Sequence, residues 1–122
     1  SGAAAPAGEE HLVAGIRLLV REVPPAPAAE LRQLADVLRS RLGSGIVVLA
    51  TRDEGKVSLV VAASEEVRGR VPAGRLVREI AGLVGGSGGG RDDFAQAGGR
   101  DPDALPAALA RVPELVGTLA GG

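Results

Sequence analysis

Five of the six residues from 85 to 90 are glycine, and the run continues directly into Arg91, Asp92 and Asp93. Residues 68–100 around it hold Arg68, Arg70, Arg75, Arg78, Arg91 and Arg100 against Glu79, Asp92 and Asp93, a local charge of +3 within a chain whose net charge is −1. Glycine lets backbone N–H groups come close to an anion or to another stretch of backbone. The chemistry open to such a segment is anion or nucleic-acid contact; the plain alternative is a flexible connector. Two sharper phosphate motifs do not fit. A phosphate-binding loop needs G-x-x-x-x-G-K-[ST] after a strand, whereas Gly90 is followed by Arg91 and Asp92 and the run follows a helical pattern. The dinucleotide fingerprint G-x-G-x-x-G has no register in residues 85–91. Asp92, Asp93, Asp101 and Asp103 lack the alternating spacing of an EF-hand and read as turn and cap residues.

Other chemistry is limited by composition. The 122 residues contain no Cys, one His (His11) and one aromatic residue, Phe94. Thiolate nucleophiles and Cys-ligated zinc are therefore excluded. No nucleophile-elbow motif accompanies His11, which reads as incidental. A base-stacking surface of the RRM or OB type needs more aromatic rings than one. No apolar run reaches the roughly 18 residues of a membrane span, so a soluble, cytoplasmic protein is expected. The chain has no Met, and Ser1-Gly2 is expected to be a cleavage scar.

The elements that must position these residues follow from periodicity. Residues 1–8 are expected to be a disordered lead-in, and residues 9–120 one domain. Residues 11–23 read as one strand, stopped by Pro24, Pro25 and Pro27. Leu31, Leu34, Ala35, Leu38 and Leu42 mark a helix over 28–42, with Pro27 in its first turn and Gly43 as its cap. Ile46–Ala50 and Lys56–Ala63 form a hairpin of inner strands, apolar on both faces. Pro72 starts a helix over 73–84 with Leu76, Val77, Ile80, Ala81, Leu83 and Val84 inward. After the glycine loop comes a short strand, Phe94–Ala97. Asp101-Pro102 then caps a last helix, about 102–116, which Pro113 should kink or break. The expected fold is α/β: a single domain with a mixed sheet of about four to five strands flanked by helices.

Residues 85–99, GGSGGGRDDFAQAGG, closely resemble the signature of the C-terminal domain of alanyl-tRNA synthetases: a glycine run, Arg, a variable residue, Asp, an apolar residue, Ala-Gln-Ala and Gly-Gly. Ser87 interrupts the glycines, and Asp92 stands where proline is common. The Leu76–Glu79 step before the motif, the Asp-Pro-Asp-started helix after it and the Gly55–Leu59 stretch upstream also agree, so the resemblance covers about residues 30–116. The same domain type accompanies DHH-type phosphoesterases, but there histidine follows the glycines, where this chain has Arg91.

The resemblance implies a non-catalytic module that holds the tRNA elbow, where the D and T loops meet, and tethers aminoacylation and editing modules to tRNA(Ala). It implies contacts by Gly85, Gly86, Gly88, Gly89, Gly90, Arg91, Asp93, Gln96, Gly98 and Gly99, extended by Arg75 and Arg78. It implies no cofactor in this domain, with ATP and zinc only in other domains of the enzyme. The partners it implies are tRNA(Ala) and those other domains; it admits weak self-association and no membrane. Two other functions stay open: a dimerisation or scaffold domain, and the nucleic-acid-holding domain of a DHH-type phosphoesterase. Arg91 could instead pair with Asp93 or Asp101, and Gln96 could satisfy backbone groups at a sheet edge.

Overall fold

The computed structural model describes residues 9–121, so the lead-in over residues 1–8 lies outside the described residues. In chain order the elements are β1 (Glu9–Val13), β2 (Ile16–Glu22), α1 (Ala28–Leu42), β3 (Gly45–Asp53), β4 (Lys56–Ala63), α2 (Ala73–Leu83), β5 (Ser87–Gly90) and β6 (Phe94–Gly99). A 3-10 turn over Pro102–Ala104 then leads into α3 (Leu105–Ala110) and α4 (Val112–Gly121). The six strands form one sheet in the order β1-β2-β3-β4-β6-β5. Only β2 and β3 run parallel, joined by α1 as the crossover; the other neighbours are antiparallel. The class is therefore the expected mixed α/β domain, with more strands than the four to five anticipated.

Two local features account for the extra strands. Residues 11–23 are not one strand: Ala14 (φ 52°) and Gly15 (φ 80°) turn the chain between β1 and β2. Positive φ at both central residues is the geometry that matches the twist of a two-residue hairpin. The turn puts Val13 opposite Ile16, packed toward the core, and leaves Leu12 74% exposed rather than inward. The second extra strand is β5, formed by residues expected to be loop.

Side-chain alternation along the inner strands builds a core on each face of the sheet. Val48, Leu59, Val61 and Ala95 face α2, α3 and α4. Val47, Leu49, Val60 and Ala62 face α1, which contributes Leu31, Ala35 and Leu42. The molecule is thus three-layered, with α1 alone on one side. Both long helices follow their periodicity: the six inward residues expected of α2 all lie in its core cluster, and Gly43 (φ 86°) caps α1 by donating to the Arg39 carbonyl at 3.1 Å. The last helix is broken at Arg111, just before Val112 and Pro113, and runs on to Gly121. Asp101 precedes it without a side-chain cap hydrogen bond.

Candidate nucleic-acid interface

The β5–β6 hairpin is fastened along α2. At one end its turn, residues 91–93, supplies carbonyls to the helix N-terminus: Ala73 N–H donates to the Asp92 oxygen at 2.8 Å and Gly74 N–H to the Arg91 oxygen at 3.0 Å. The first donors of α2 are therefore used internally. At the other end Gly85 (φ 68°) turns the chain, and Gly86 N–H returns to the Ala81 carbonyl at 2.9 Å. The Val84 carbonyl accepts from the N–H groups of Arg100 and Asp101, both at 3.0 Å. This is a glycine-mediated helix ending that satisfies the Ala81 and Val84 carbonyls.

The glycines have specific steric work in this arrangement. A Cβ on Gly86 would overlap the Gly98 carbonyl oxygen, and one on Gly88 would overlap the Cα and Cβ of Ala97. On Gly90 it would come within 2.7 Å of Ala95 Cα, and on Gly99 within 2.5 Å of the Val84 carbonyl oxygen. Close approach is indeed what these residues provide, but the backbone they approach is the protein's own. Gly89 and Gly98 differ, since a Cβ there would meet its nearest neighbours at 3.5 Å and 3.6 Å.

The α1 side of the sheet is only half covered. Helix α1 lies over β3 and β4, while β6 and β5 on that side carry no helix. Register places Ser58, Gly98 and Ser87 in one row across β4, β6 and β5, and Val60, Gln96 and Gly89 in the next. Three clefts follow one another along this open face. One of about 530 Å³ is lined by Arg32, Arg39, Arg68, Arg91, Asp93 and Phe94, with Asp36 and Glu65 also present. A middle one of about 300 Å³ includes Leu31, Ser58, Ser87 and Gln96. The last, of about 470 Å³, is formed by Gly85, Gly86, Gly98 and Gly99 with Lys56 and Arg100.

The anticipated residues are thus separated into three places. Arg91, Asp93 and Gln96 stand on the open face. Gly85, Gly86, Gly98 and Gly99 gather at its far end, and Gly88, Gly89 and Gly90 form the edge strand. Arg75 and Arg78 are exposed on α2, in the opposite layer, although Arg78 reaches the β5 edge beside Gly89. Arg91 Nε lies 3.2 Å from Asp93 Oδ1 with 78% of its side chain exposed, a pair too solvated to hold the arginine strongly. Asp101 lies beside Gly85 at the other end of the hairpin. The Gln96 amide makes no hydrogen bond among the described residues, so it is not consumed by the sheet edge.

Arg32, Arg39 and Arg68 were not singled out from sequence. The α1 pair sits seven residues apart, two turns of one helix face, which is the pattern that marks them. The Arg32 guanidinium lies 5.0 Å from the centroid of Phe94, so the one aromatic ring presents a cation toward the cleft. No group of three or more His, Cys, Asp or Glu side chains among the described residues could hold a metal ion. No helix among them is long and apolar enough to cross a membrane.

The chain resembles known proteins in sequence and in fold. The chain is 49% identical over 104 residues to an alanine–tRNA ligase of Chromohalobacter salexigens, covering 85% of this chain and spanning 12% of the length of that relative. The crystal structure of the C-Ala domain from Aquifex aeolicus alanyl-tRNA synthetase superposes with a TM-score of 0.83 at 35% identity, over 89% of this chain and 98% of that one. A DHH-domain protein described as a member of the s1p family of ribosomal proteins matches at a TM-score of 0.58 and 18% identity, over 91% of this chain and 28% of that one; that likeness is one of fold. The DHHA1 domain model matches residues 15–118, and the chain belongs to the DHHA1 domain family.

Proposed function

We propose that residues 9–120 are the C-terminal tRNA-holding module of a cytoplasmic alanine–tRNA ligase, a non-catalytic part that grips the tRNA elbow and keeps the acceptor end near the aminoacylation and editing domains. The observation that carries this reading is the near-complete match to a C-Ala domain combined with the uncovered polar face over β6 and β5. On this reading Arg91, Arg32 and Arg39 take phosphates and Gln96 addresses a sugar or base edge, while the solvated Asp93 beside Arg91 leaves that arginine available. Gly98 gives nucleotides a flat floor, and Gly89 stands at the β5 edge beside Arg78. Gly85, Gly86, Gly88, Gly90 and Gly99 act indirectly by seating the hairpin. Arg75 and Arg78 lie in the wrong layer for the same contact and serve at most the β5 edge. ATP and zinc belong to the other domains of the enzyme, which are the protein partners.

The test is fluorescence anisotropy with full-length tRNA(Ala) and with an acceptor-stem minihelix that lacks the elbow, each at two salt concentrations. Only the full tRNA is expected to bind, and Arg91→Ala should weaken it and flatten its salt dependence by about 0.7–0.9 per lost phosphate contact. Equal binding of the minihelix overturns the elbow assignment. No binding of either at low salt points to a scaffold or self-association domain instead.

A further inference from the structure

The cleft at the Lys56 end of the open face is chemically unlike the rest. The residues lining it are Lys56, Val57, Ser58, Gly85, Gly86, Ser87, Gly98, Gly99 and Arg100, with no carboxylate among them. The Arg91 end mixes four arginines with three acids. Here the two cations face no acid within the cleft. Neither Lys56 nor Arg100 has a side-chain hydrogen bond or ion pair among the described residues. The nearby acids are Asp53, opposite Lys56 in the β3–β4 ladder, and Asp101, which follows Arg100 and lies beside Gly85; neither lines the cleft. Arg100 is fixed at its backbone, since its N–H donates to the Val84 carbonyl at 3.0 Å, while its side chain is left to solvent. The floor between the cations is Gly98 flanked by Ser58 and Ser87, a row with a gap where the middle side chain would stand and a hydroxyl on each side. An unpaired cation pair over a floor of glycine backbone and two hydroxyls suits a phosphodiester group, which takes hydroxyl and charged donors together.

We infer that Lys56 and Arg100 form a second phosphate grip for the RNA strand, separate from the arginine cluster around Arg91 and set about 17 Å from it, the length of the six residues of β6. This inference rests on the tRNA-holding reading and adds to it a fixed path for one strand. Phosphates are held at both ends of β6, and the nucleotides between them pass over Gln96 and Gly98. Two grips joined by a neutral, polar floor also make the contact directional along β6.

The test measures the affinity of labelled tRNA(Ala) for the 122-residue chain at several salt concentrations, for the wild type, Lys56→Ala, Arg100→Ala and the double variant. Each single variant should reduce the slope of log K against log salt by about 0.7–0.9, and the double variant by about 1.5. Lys56→Arg and Arg100→Lys should keep the wild-type slope. Asp53→Asn should tighten binding. Both cations are exposed and unpartnered, so thermal unfolding of the variants should match the wild type and exclude misfolding as the cause. If the wild type binds tRNA and the double variant binds with the same slope, the second grip is wrong while the tRNA-holding reading survives. If the wild type does not bind, the tRNA-holding reading itself falls and the grip falls with it.

Discussion

Gly88→Ala and Gly89→Ala should behave oppositely, although the two residues are adjacent in one strand. A methyl on Gly88 would overlap Ala97 Cα and Cβ and come within 2.5 Å of the Gln96 carbonyl oxygen. Restoring van der Waals separation of 3.5–4.0 Å requires β5 to retreat from β6 by roughly 1 Å. That displacement takes ladder bonds near 2.9 Å out of hydrogen-bonding range. A four-residue strand has few such bonds, each contributing about 1 kcal/mol net, so the loss is about 2–4 kcal/mol, in the range of overpacked cores. A methyl on Gly89 would meet only the flexible end of Arg78, at 3.5 Å, with no backbone neighbour in the way. Its reduction of unfolded-chain entropy is worth about 0.4–1 kcal/mol in the stabilising direction. Urea unfolding followed by far-UV circular dichroism separates the two. Gly88→Ala should move the midpoint down with an unchanged slope, and Gly89→Ala should leave it or raise it. If both variants are destabilised equally, the glycines are not placed by strand seating and the reasoning fails.

Two more outcomes follow from local geometry. Ala14 holds a left-handed conformation that costs an L-residue about 1–2 kcal/mol; part of the gain from glycine is offset by its greater unfolded-state freedom. Ala14→Gly should therefore raise stability by about 0.5–1 kcal/mol, a rise in Tm of roughly 2–5 °C by calorimetry. The Glu66 carboxyl accepts from its own backbone N–H and from the Ser64 hydroxyl, which lowers its pKa below the ordinary value of 4.5. A depressed carboxylate stabilises the fold above its unfolded pKa, and this is lost as pH falls through the folded value. Glu66→Gln should therefore be slightly less stable than the wild type at neutral pH, with the difference vanishing as pH falls below 4.5 through the folded-state value, in urea titrations at several pH values.

The parts of this fold that depend on side-chain periodicity are legible in the sequence. Helices α1 and α2 and the β3–β4 hairpin appear with their inward residues because Leu, Ile, Val and Ala recur at periods that only one geometry satisfies. The two missed strands share a cause: neither leaves a side-chain pattern to read. Strand β5 is one serine and three glycines, whose pairing comes from backbone alone. The β1–β2 turn uses Ala14, a residue with no turn preference, so the apolar alternation runs through it unmarked. The candidate site was legible as a segment but not as a surface. Residues 85–99 mark out the β5–β6 hairpin, but charge along the chain says nothing about layers. Arg75 and Arg78 are closer in sequence to Arg91 than Arg32 and Arg39 are; the crossover of α1 puts the distant pair beside Arg91 and the near pair on the other side of the sheet.

The hairpin that closes both ends of α2 acts as a gauge. Eleven helical steps from Ala73 to Val84 span about 17 Å, and five strand steps from Phe94 to Gly99 span about the same. The two lengths must agree for the turn at residues 91–93 to meet one end of the helix while Arg100 and Asp101 meet the other. Adding one residue to either element breaks that match, while the β3–β4 turn at Glu54–Gly55 is under no such constraint. In this family, insertions should therefore collect at the turns away from α2, and the helix and its hairpin should change length only together.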